Sequence, residues 1–203
     1  MQGLQLLLLR LPGDLPPRTY TLTAQVIDRR SGQALPAAEG EPVIRLSSVL
    51  GQLANTPRLP DPAKLPNPMQ VVQSNGLAAE LALRGYDLKS SHIRSGEELT
   101  LTLHWQVLQP PPQDYRLQFF LTDEQGETVY RWPDLPPING EWPTRQWPAD
   151  YWVQDRLDLP WGADVPPGQF RLRATWVAGE TQSTSGQTWP GFDLGWITVT
   201  SER

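Results

Sequence analysis

The 203-residue chain contains no cysteine and only two histidines. The lack of cysteine excludes disulfide frameworks, thiolate nucleophiles and zinc-thiolate sites. His104 has no carboxylate or second histidine at ligand spacing, so the sequence predicts neither a histidine-dependent triad nor a zinc site. It also lacks a nucleophile-elbow serine and a glycine-rich phosphate loop. We therefore expect no catalytic residue, no metal and no cofactor.

Basic residues and long apolar runs are also scarce. The 17 lysines and arginines stand against 22 acidic residues, which leaves a net charge of −5 without any basic block. This balance opposes binding to a phosphate backbone, so nucleic acid is not an expected partner. No run approaches the roughly 20 apolar residues of a membrane span. The N-terminal ten residues lack a basic leader and predict a strand rather than a signal peptide.

Proline and tryptophan are abundant, with 22 and 9 residues. Proline, glycine, asparagine or aspartate interrupts the chain about every dozen residues, and apolar residues recur at spacing two between these breaks. Residues 99–107 and 170–176 show this alternation clearly, and it places Trp105 and Trp176 on the core side. The pattern predicts an all-β fold, namely an antiparallel β-sandwich (Ig-like or jelly-roll-like) with an additional partial three-stranded β unit.

Composition divides the chain into three segments. Residues 1–50 predict the partial three-stranded unit, residues 51–75 a proline-rich extended connector, and residues 76–203 a complete β-sandwich domain. Residues 11–24 resemble residues 159–174, so the first unit is expected to be the end of a repeat. Leu6–Leu9 is apolar on both faces, which favours a homodimer through the N-terminal strands.

The strongest candidate for a binding site is an aromatic segment after residue 130. Four tryptophans of the chain precede proline, which holds the preceding residue in extended backbone, and stiff exposed indoles lose little entropy on binding. Rings beside amides and charged groups suit a glycan or a polypeptide. In the alternative, the loop folds down and its indoles fill the groove below it. The predicted ligand-binding residues are Trp132, Asn139, Glu141, Trp142, Arg145, Trp147, Tyr151, Trp152 and Trp161.

Asp155 is the most informative acidic residue. It alternates in phase with Val153, Leu157 and Leu159, so a strand would direct it towards the apolar side. One interpretation is a structural buried acid that accepts backbone N–H groups from a neighbouring loop. The other is a glycoside hydrolase, in which Asp155 would pair with Glu141 or Asp150.

Five strand and turn motifs stand out in the second half of the chain, namely LRGYDL (83–88), SGEELTL (95–101), NGEWPT (139–144), VQDR (153–156) and PPGQFRL (166–172). Together they resemble a β-sandwich module that follows the membrane part of bacterial glycosyltransferases of the protein-mannosyltransferase type. The resemblance covers about residues 65–200, with a partial preceding copy at 1–50. It implies an extracytoplasmic accessory domain, and it brings no catalytic residue because the chemistry of those enzymes belongs to the membrane part.

The sequence thus predicts a non-catalytic extracytoplasmic accessory β-sandwich module that recognises a glycan or a polypeptide through its tryptophan- and proline-rich loop. Two alternatives remain open. One is a purely structural spacer or protein-interaction domain, and the other is the carboxylate-pair hydrolase.

Overall fold

The computed structural model describes residues 23–35, 44–45, 61–73, 77–94, 96–161, 165–178 and 191–201. The chain divides into a small unit, Leu15–Thr56, and a larger unit that contains Pro57–Arg203. The predicted strand at Leu6–Leu9, and with it the proposed dimer contact, lies outside the described residues.

The small unit contains two short antiparallel ladders. Four strands of two residues each form them: β1 pairs with β4, and β2 pairs with β3. A turn joins β2 to β3, in which Asp28 accepts the backbone N–H of Arg30 at 2.8 Å and Gly32 has a left-handed φ of 69°. The prediction was a three-stranded unit, whereas the described residues form these two ladders. The strands are β1 (Thr23–Ala24), β2 (Val26–Ile27), β3 (Ala34–Leu35) and β4 (Ile44–Arg45).

The larger unit contains nine strands and three short 3₁₀ helices among its described residues. The 3₁₀ helices are Pro62–Lys64, Pro137–Gly140 and Thr144–Gln146. The strands are β5 (Asn67–Gln73), β6 (Leu81–Leu88), β7 (His92–Arg94), β8 (Glu98–Val107), β9 (Tyr115–Thr122), β10 (Thr128–Arg131), β11 (Trp152–Pro160), β12 (Gly168–Ala178) and β13 (Phe192–Thr200).

These nine strands form two sheets. The five-stranded sheet has the order β10-β9-β12-β13-β7, and the four-stranded sheet has the order β11-β8-β6-β5. All neighbours are antiparallel except β13 and β7, which are parallel. The all-β, antiparallel prediction is therefore confirmed. The finer choice between an Ig-like and a jelly-roll-like sandwich stays a prediction.

The inner faces of the two sheets share one hydrophobic core. Trp105 on β8 and Trp176 on β12 lie with their ring centroids 4.6 Å apart, which brings residues of both sheets together. The predicted alternation is confirmed on both strands, because Leu101, Leu103 and Leu172 are fully buried while their sequence neighbours face outward. Each large apolar side chain buried in this way contributes about 1.5–3 kcal/mol.

Strand β5 differs from the sequence prediction, because it lies within the segment interpreted as a connector. Asn67 and Pro68 pair with Tyr86 and Gly85 on β6. A Cβ at Gly85 would lie 2.6 Å from Leu65, so glycine allows this close approach. Pro68 is tolerated because β5 is an edge strand, and the prolines conceal the strand from pattern analysis. In the ranges that the structure describes, no helix is long and apolar enough to cross a membrane.

Candidate functional site

The aromatic loop, residues 132–151, joins an edge of one sheet to an edge of the other. It leaves β10 in the five-stranded sheet and enters β11 in the four-stranded sheet. Its first residues continue to pair with β9, since the N–H of Trp132 donates to Phe119 O at 3.0 Å. Leu135 and Leu117 exchange two backbone hydrogen bonds of 2.7 Å. The loop therefore runs across the side of the core between the two sheets.

The structure buries every tryptophan that the sequence analysis placed in the binding site. The sequence left open whether these indoles form an exposed binding surface or fill the groove, and burial excludes the exposed surface at these positions. For Trp132, Trp142, Trp147 and Trp161, which belong to the core, the physical reason is the 150–250 Å² that each ring buries when it fills the gap between the two sheet edges. The exposed fractions are Trp132 2%, Trp142 7%, Trp147 0%, Trp152 7% and Trp161 6%.

Two groups of edge-to-face and tilted rings fill this side of the core. Trp132 contacts Trp161 with centroids 5.4 Å apart and Tyr130 at 4.9 Å. Trp142 contacts Trp147 at 5.8 Å and the half-buried Tyr151 at 5.4 Å. Such pairs contribute about 0.5–1.5 kcal/mol beyond the area that they bury. The aromatic rings of each group therefore pack against one another.

Two indole N–H groups of the loop donate hydrogen bonds within the molecule. Trp132 Nε1 donates to Pro160 O at 2.7 Å, which ties the start of the loop to the end of β11. Trp147 Nε1 donates to Trp142 O at 3.0 Å. Trp152 faces the outer side of the four-stranded sheet, where the Arg84 guanidinium lies 5.7 Å from its ring centroid. Hydrogen bonds and a cation–π contact therefore hold these three indoles in place.

Asp155 is fully buried in the middle of β11. Its Oδ1 accepts the backbone N–H of Ile138 at 2.8 Å. Ile138 and Asn139 both have a left-handed φ of 51°, which is costly for residues other than glycine. The carboxylate therefore holds the strained turn of the loop against the edge of the sheet. Asp155 has no exposed surface in this arrangement, whereas the hydrolase alternative requires a carboxylate that contacts the substrate.

The three predicted polar residues remain on the surface of the loop. Asn139, Glu141 and Arg145 are all exposed. Arg145 Nε forms an ion pair with Asp114 Oδ2 at 3.2 Å, and its backbone N–H donates to Asp114 Oδ1 at the same distance. The structure thus separates the predicted set into buried rings and exposed polar groups.

A side-chain hydroxyl anchors the second 3₁₀ helix of the loop to the start of β9. Thr144 is buried and its Oγ1 accepts the backbone N–H of Tyr115 at 2.8 Å. The same hydroxyl donates to Gln113 O at 3.2 Å. Beside this anchor lies an open cavity of about 470 Å³, lined by Asp114, Tyr115, Arg116, Pro136, Pro137, Gly140, Pro143 and Thr144.

Four described groups, Asp28, Tyr86, His104 and Tyr115, have pKa values shifted from their ordinary ones. Burial lowers the pKa of His104, and the negative charge of Asp87 opposes that shift. Burial also raises the pKa of Tyr115, and nearby Glu80 adds to it; the tyrosine hydroxyl donates to Glu80 Oε2 at 3.3 Å. Across the described part of the chain, no three His, Cys, Asp or Glu side chains form a group that could hold a metal ion.

The sequence analysis missed one exposed aromatic residue. Trp196 on β13 is 44% exposed, whereas the other seven described tryptophans are buried. Arg171 lies over its ring at 4.9 Å and forms an ion pair with Asp193. The signal in the sequence is Gly195, which directly precedes the tryptophan and interrupts the alternation of the strand.

Comparison with known protein families finds no match, and comparison with curated proteins finds none either. Among solved structures, the chain is similar to an alkylpurine DNA glycosylase of Pseudomonas fluorescens bound to DNA that contains an abasic-site analogue. The identity is 11% and the TM-score is 0.34 over 59% of this chain. The match spans 30% of that enzyme chain. Similarity at this level carries no argument about function.

Proposed function

We propose that the chain is a non-catalytic accessory β module that acts by binding another molecule. We also propose that its aromatic loop has a structural role, because it covers the side of the core between the two sheets. The observation that carries the proposal is the burial of all five tryptophans of the predicted site together with Asp155. An enzyme or an aromatic binding site at this loop would need at least some of these groups exposed. The proposal includes the extracytoplasmic accessory role that the glycosyltransferase resemblance implies.

A structural role for the loop is supported by its position over the edge strand β11. A strand at the edge of a sheet exposes unpaired backbone groups and invites pairing with other chains. Here Trp132 Nε1 satisfies Pro160 O at the end of β11, and the turn at Ile138 lies against Asp155 in the middle of the same strand. The loop therefore protects β11 while its rings close the core beside it.

Replacement of Asp155 tests the proposal against the hydrolase alternative. Asp155→Asn keeps an oxygen that can accept the Ile138 N–H, whereas Asp155→Ala removes it. We expect no turnover of a panel of chromogenic glycosides by the wild type, a Tm for Asp155→Asn near the wild-type value, and a clear decrease in Tm for Asp155→Ala. Turnover that is lost in Asp155→Asn while the Tm is retained would overturn the proposal.

A second candidate function is recognition of a polypeptide at the cavity beside Thr144. The observation in its favour is an open space of about 470 Å³ in which proline rings meet one guanidinium and one carboxylate. Mostly apolar walls with a few polar groups suit an extended peptide. Arg145 and Glu141 are exposed residues of the same loop.

Amide NMR can test this second function with an extended, proline-containing peptide as the probe. Binding at the cavity predicts shifts confined to residues 114–116 and 136–145, and their loss in Arg116→Gln. Arg156→Gln, an exposed arginine on β11, is the matched control and should leave the shifts unchanged. Shifts elsewhere, or none, would remove the polypeptide candidate.

A further inference from the structure

The exposure of Trp196 results from an irregularity in β13. Phe170 pairs with Ile197 and Arg171 with Trp196, but the next registered pair is Arg173 with Asp193. Strand β13 therefore contains one extra residue between these pairs, which is a β-bulge. With strict alternation, Trp196 would follow Phe192 and Leu194 into the core. The bulge instead directs the indole outward and returns Ile197 to the buried side.

Local interactions stabilise this bulge. Gly195 has a φ of 92°, a backbone conformation that residues other than glycine rarely adopt. A Cβ at this position would lie 3.1 Å from the Tyr86 hydroxyl. The backbone N–H of Gly195 donates to Asp193 Oδ1 at 3.0 Å. The other carboxylate oxygen of Asp193 pairs with Arg171, whose guanidinium lies against Trp196. A glycine, a carboxylate and a guanidinium thus hold one exposed indole in a fixed position, and bulges commonly re-aim side chains next to functional sites.

Arginines continue from Trp196 across the outer face of the five-stranded sheet. Arg173 pairs with Phe120 on β9, and Phe120 pairs with Arg131 on β10. Directly opposed residues share a face, so Phe120 lies between Arg173 and Arg131 in the order of the strands. Four strands spaced at about 4.8 Å give this row a length of roughly 14 Å.

The charge of this face is opposite to that of the whole chain. This face carries four positive charges against two carboxylates, while the chain carries −5 overall. The carboxylates are those of Asp193 and of Asp134, which accepts a hydrogen bond from Gln118 on β9. The positive charges are those of Arg116, Arg131, Arg171 and Arg173. The acidic turn at 123–127 directly follows Thr122, which pairs with Arg171 on β12, so the turn borders the row of arginines. A positive row that begins at a flat exposed ring therefore favours an extended anionic ligand with a face that can stack.

We propose that the outer face of the five-stranded sheet, from Trp196 across Arg171 and Arg173 to Arg131, binds an acidic polysaccharide. The indole stacks on one sugar ring, and the guanidinium groups pair with carboxylates of neighbouring rings. Lone pairs of the Asp193 carboxylate that Gly195 and Arg171 leave unused can accept sugar hydroxyl donors, which a DNA phosphate backbone does not offer. This inference rests on the proposed binding function and names the class of partner and the surface.

Affinity electrophoresis of the full chain in gels containing polygalacturonate tests the inference, with neutral dextran as the matched polymer. We expect retardation by polygalacturonate alone, and about a tenfold or greater loss of affinity in Trp196→Ala. Arg173→Gln should lower the affinity several-fold and weaken its salt dependence. Arg156→Gln removes the same charge from an exposed position on the other sheet and should behave as the wild type.

Three results would overturn the inference. They are the absence of retardation, equal retardation of Trp196→Ala and the wild type, and tighter binding of a single-stranded oligo-dT than of polygalacturonate. Unfolding of each variant is followed by circular dichroism, and Trp196→Phe, which keeps an aromatic ring, should retain part of the affinity. Reducing ends released from the polysaccharide would contradict the non-catalytic proposal instead, whatever the affinity, so the two failures are distinguishable.

Discussion

The aromatic loop and the bulge at Gly195 both hold tryptophan on extended backbone, yet they place the indole in opposite environments. In the loop, Trp147 is fully buried and its N–H donates to Trp142 O. At the bulge, Trp196 is 44% exposed and contacts a guanidinium. The loop joins the edges of two sheets and has a gap to fill, whereas β13 is an interior strand whose outer face meets solvent. The position in the sheets, rather than the density of aromatic residues, separates core tryptophans from surface ones.

The largest expected difference between the two regions is in stability. Trp147→Ala removes a fully buried ring and should lower the free energy of unfolding by about 3–5 kcal/mol. Trp196→Ala, the matched replacement at the surface, should change it by about 0.5 kcal/mol or less. Urea unfolding followed by circular dichroism measures both. Equal losses for the two variants would remove the distinction between the regions.

The next effect concerns the acid that holds the loop. Asp155→Ala leaves the buried N–H of Ile138 without its acceptor and should cost about 1–3 kcal/mol. Asp158→Ala, three residues along the same strand, loses only an exposed hydrogen bond from Thr100 and should cost about 0.5 kcal/mol or less. Chemical denaturation of the pair checks the prediction, and an Asp155→Ala variant as stable as Asp158→Ala would contradict it.

A smaller effect tests the bulge itself. Gly195→Ala forces a side chain into left-handed backbone and against Tyr86, so we expect a loss of about 1–2 kcal/mol. Gly126→Ala has a similar φ of 86° but no atom within 4 Å of the added Cβ, so its loss should be smaller. Thermal unfolding compares the two. If Gly126→Ala is the more destabilised variant, the close contact between position 195 and Tyr86 does not contribute to stability.

The smallest effect is a pH dependence that arises at His104 on β8. Burial lowers the pKa of His104 in the folded chain below the ordinary value of 6.5, so the unfolded chain binds the proton more readily. The corresponding stability is present above pH 6.5 and is lost as the pH falls from there towards the lowered pKa of the folded chain. Urea midpoints between about pH 8 and about pH 5 should fall less for His104→Gln than for the wild type. Identical profiles would contradict this assignment.

The sequence predicts the interior of the fold well because alternation is a local property. Strand β8 alternates along its length and β12 alternates from Phe170 to Trp176, and the inward residues of both are buried. Strand β5 could not be predicted, since Pro66 directly precedes it, Pro68 interrupts it, and the sequence NPMQVVQ does not alternate between apolar and polar residues. Its place in the sheet depends on pairing with β6 and on the missing side chain at Gly85.

The candidate site was harder to predict, because it depends on tertiary neighbours. A tryptophan before proline is stiff in either environment, so the sequence permits both an exposed ring and a buried one. Burial follows from the positions of β10 and β11 at sheet edges, which no local pattern reveals. The inward phase of Asp155 is visible in the sequence, whereas its partner Ile138 is not. Trp196 fails in the opposite direction, because alternation predicts a buried side chain and the bulge in β13 turns it to the outer face.

Acrylamide quenching of tryptophan fluorescence tests the central claim most directly. The measurement uses a Trp189→Phe background, because Trp189 lies outside the described residues, and it compares that protein with Trp189→Phe/Trp196→Phe. The account predicts a blue-shifted emission with a small accessible component that disappears when Trp196 is replaced. If quenching remains extensive in the double variant, the loop tryptophans are exposed and the structural role of the loop is wrong.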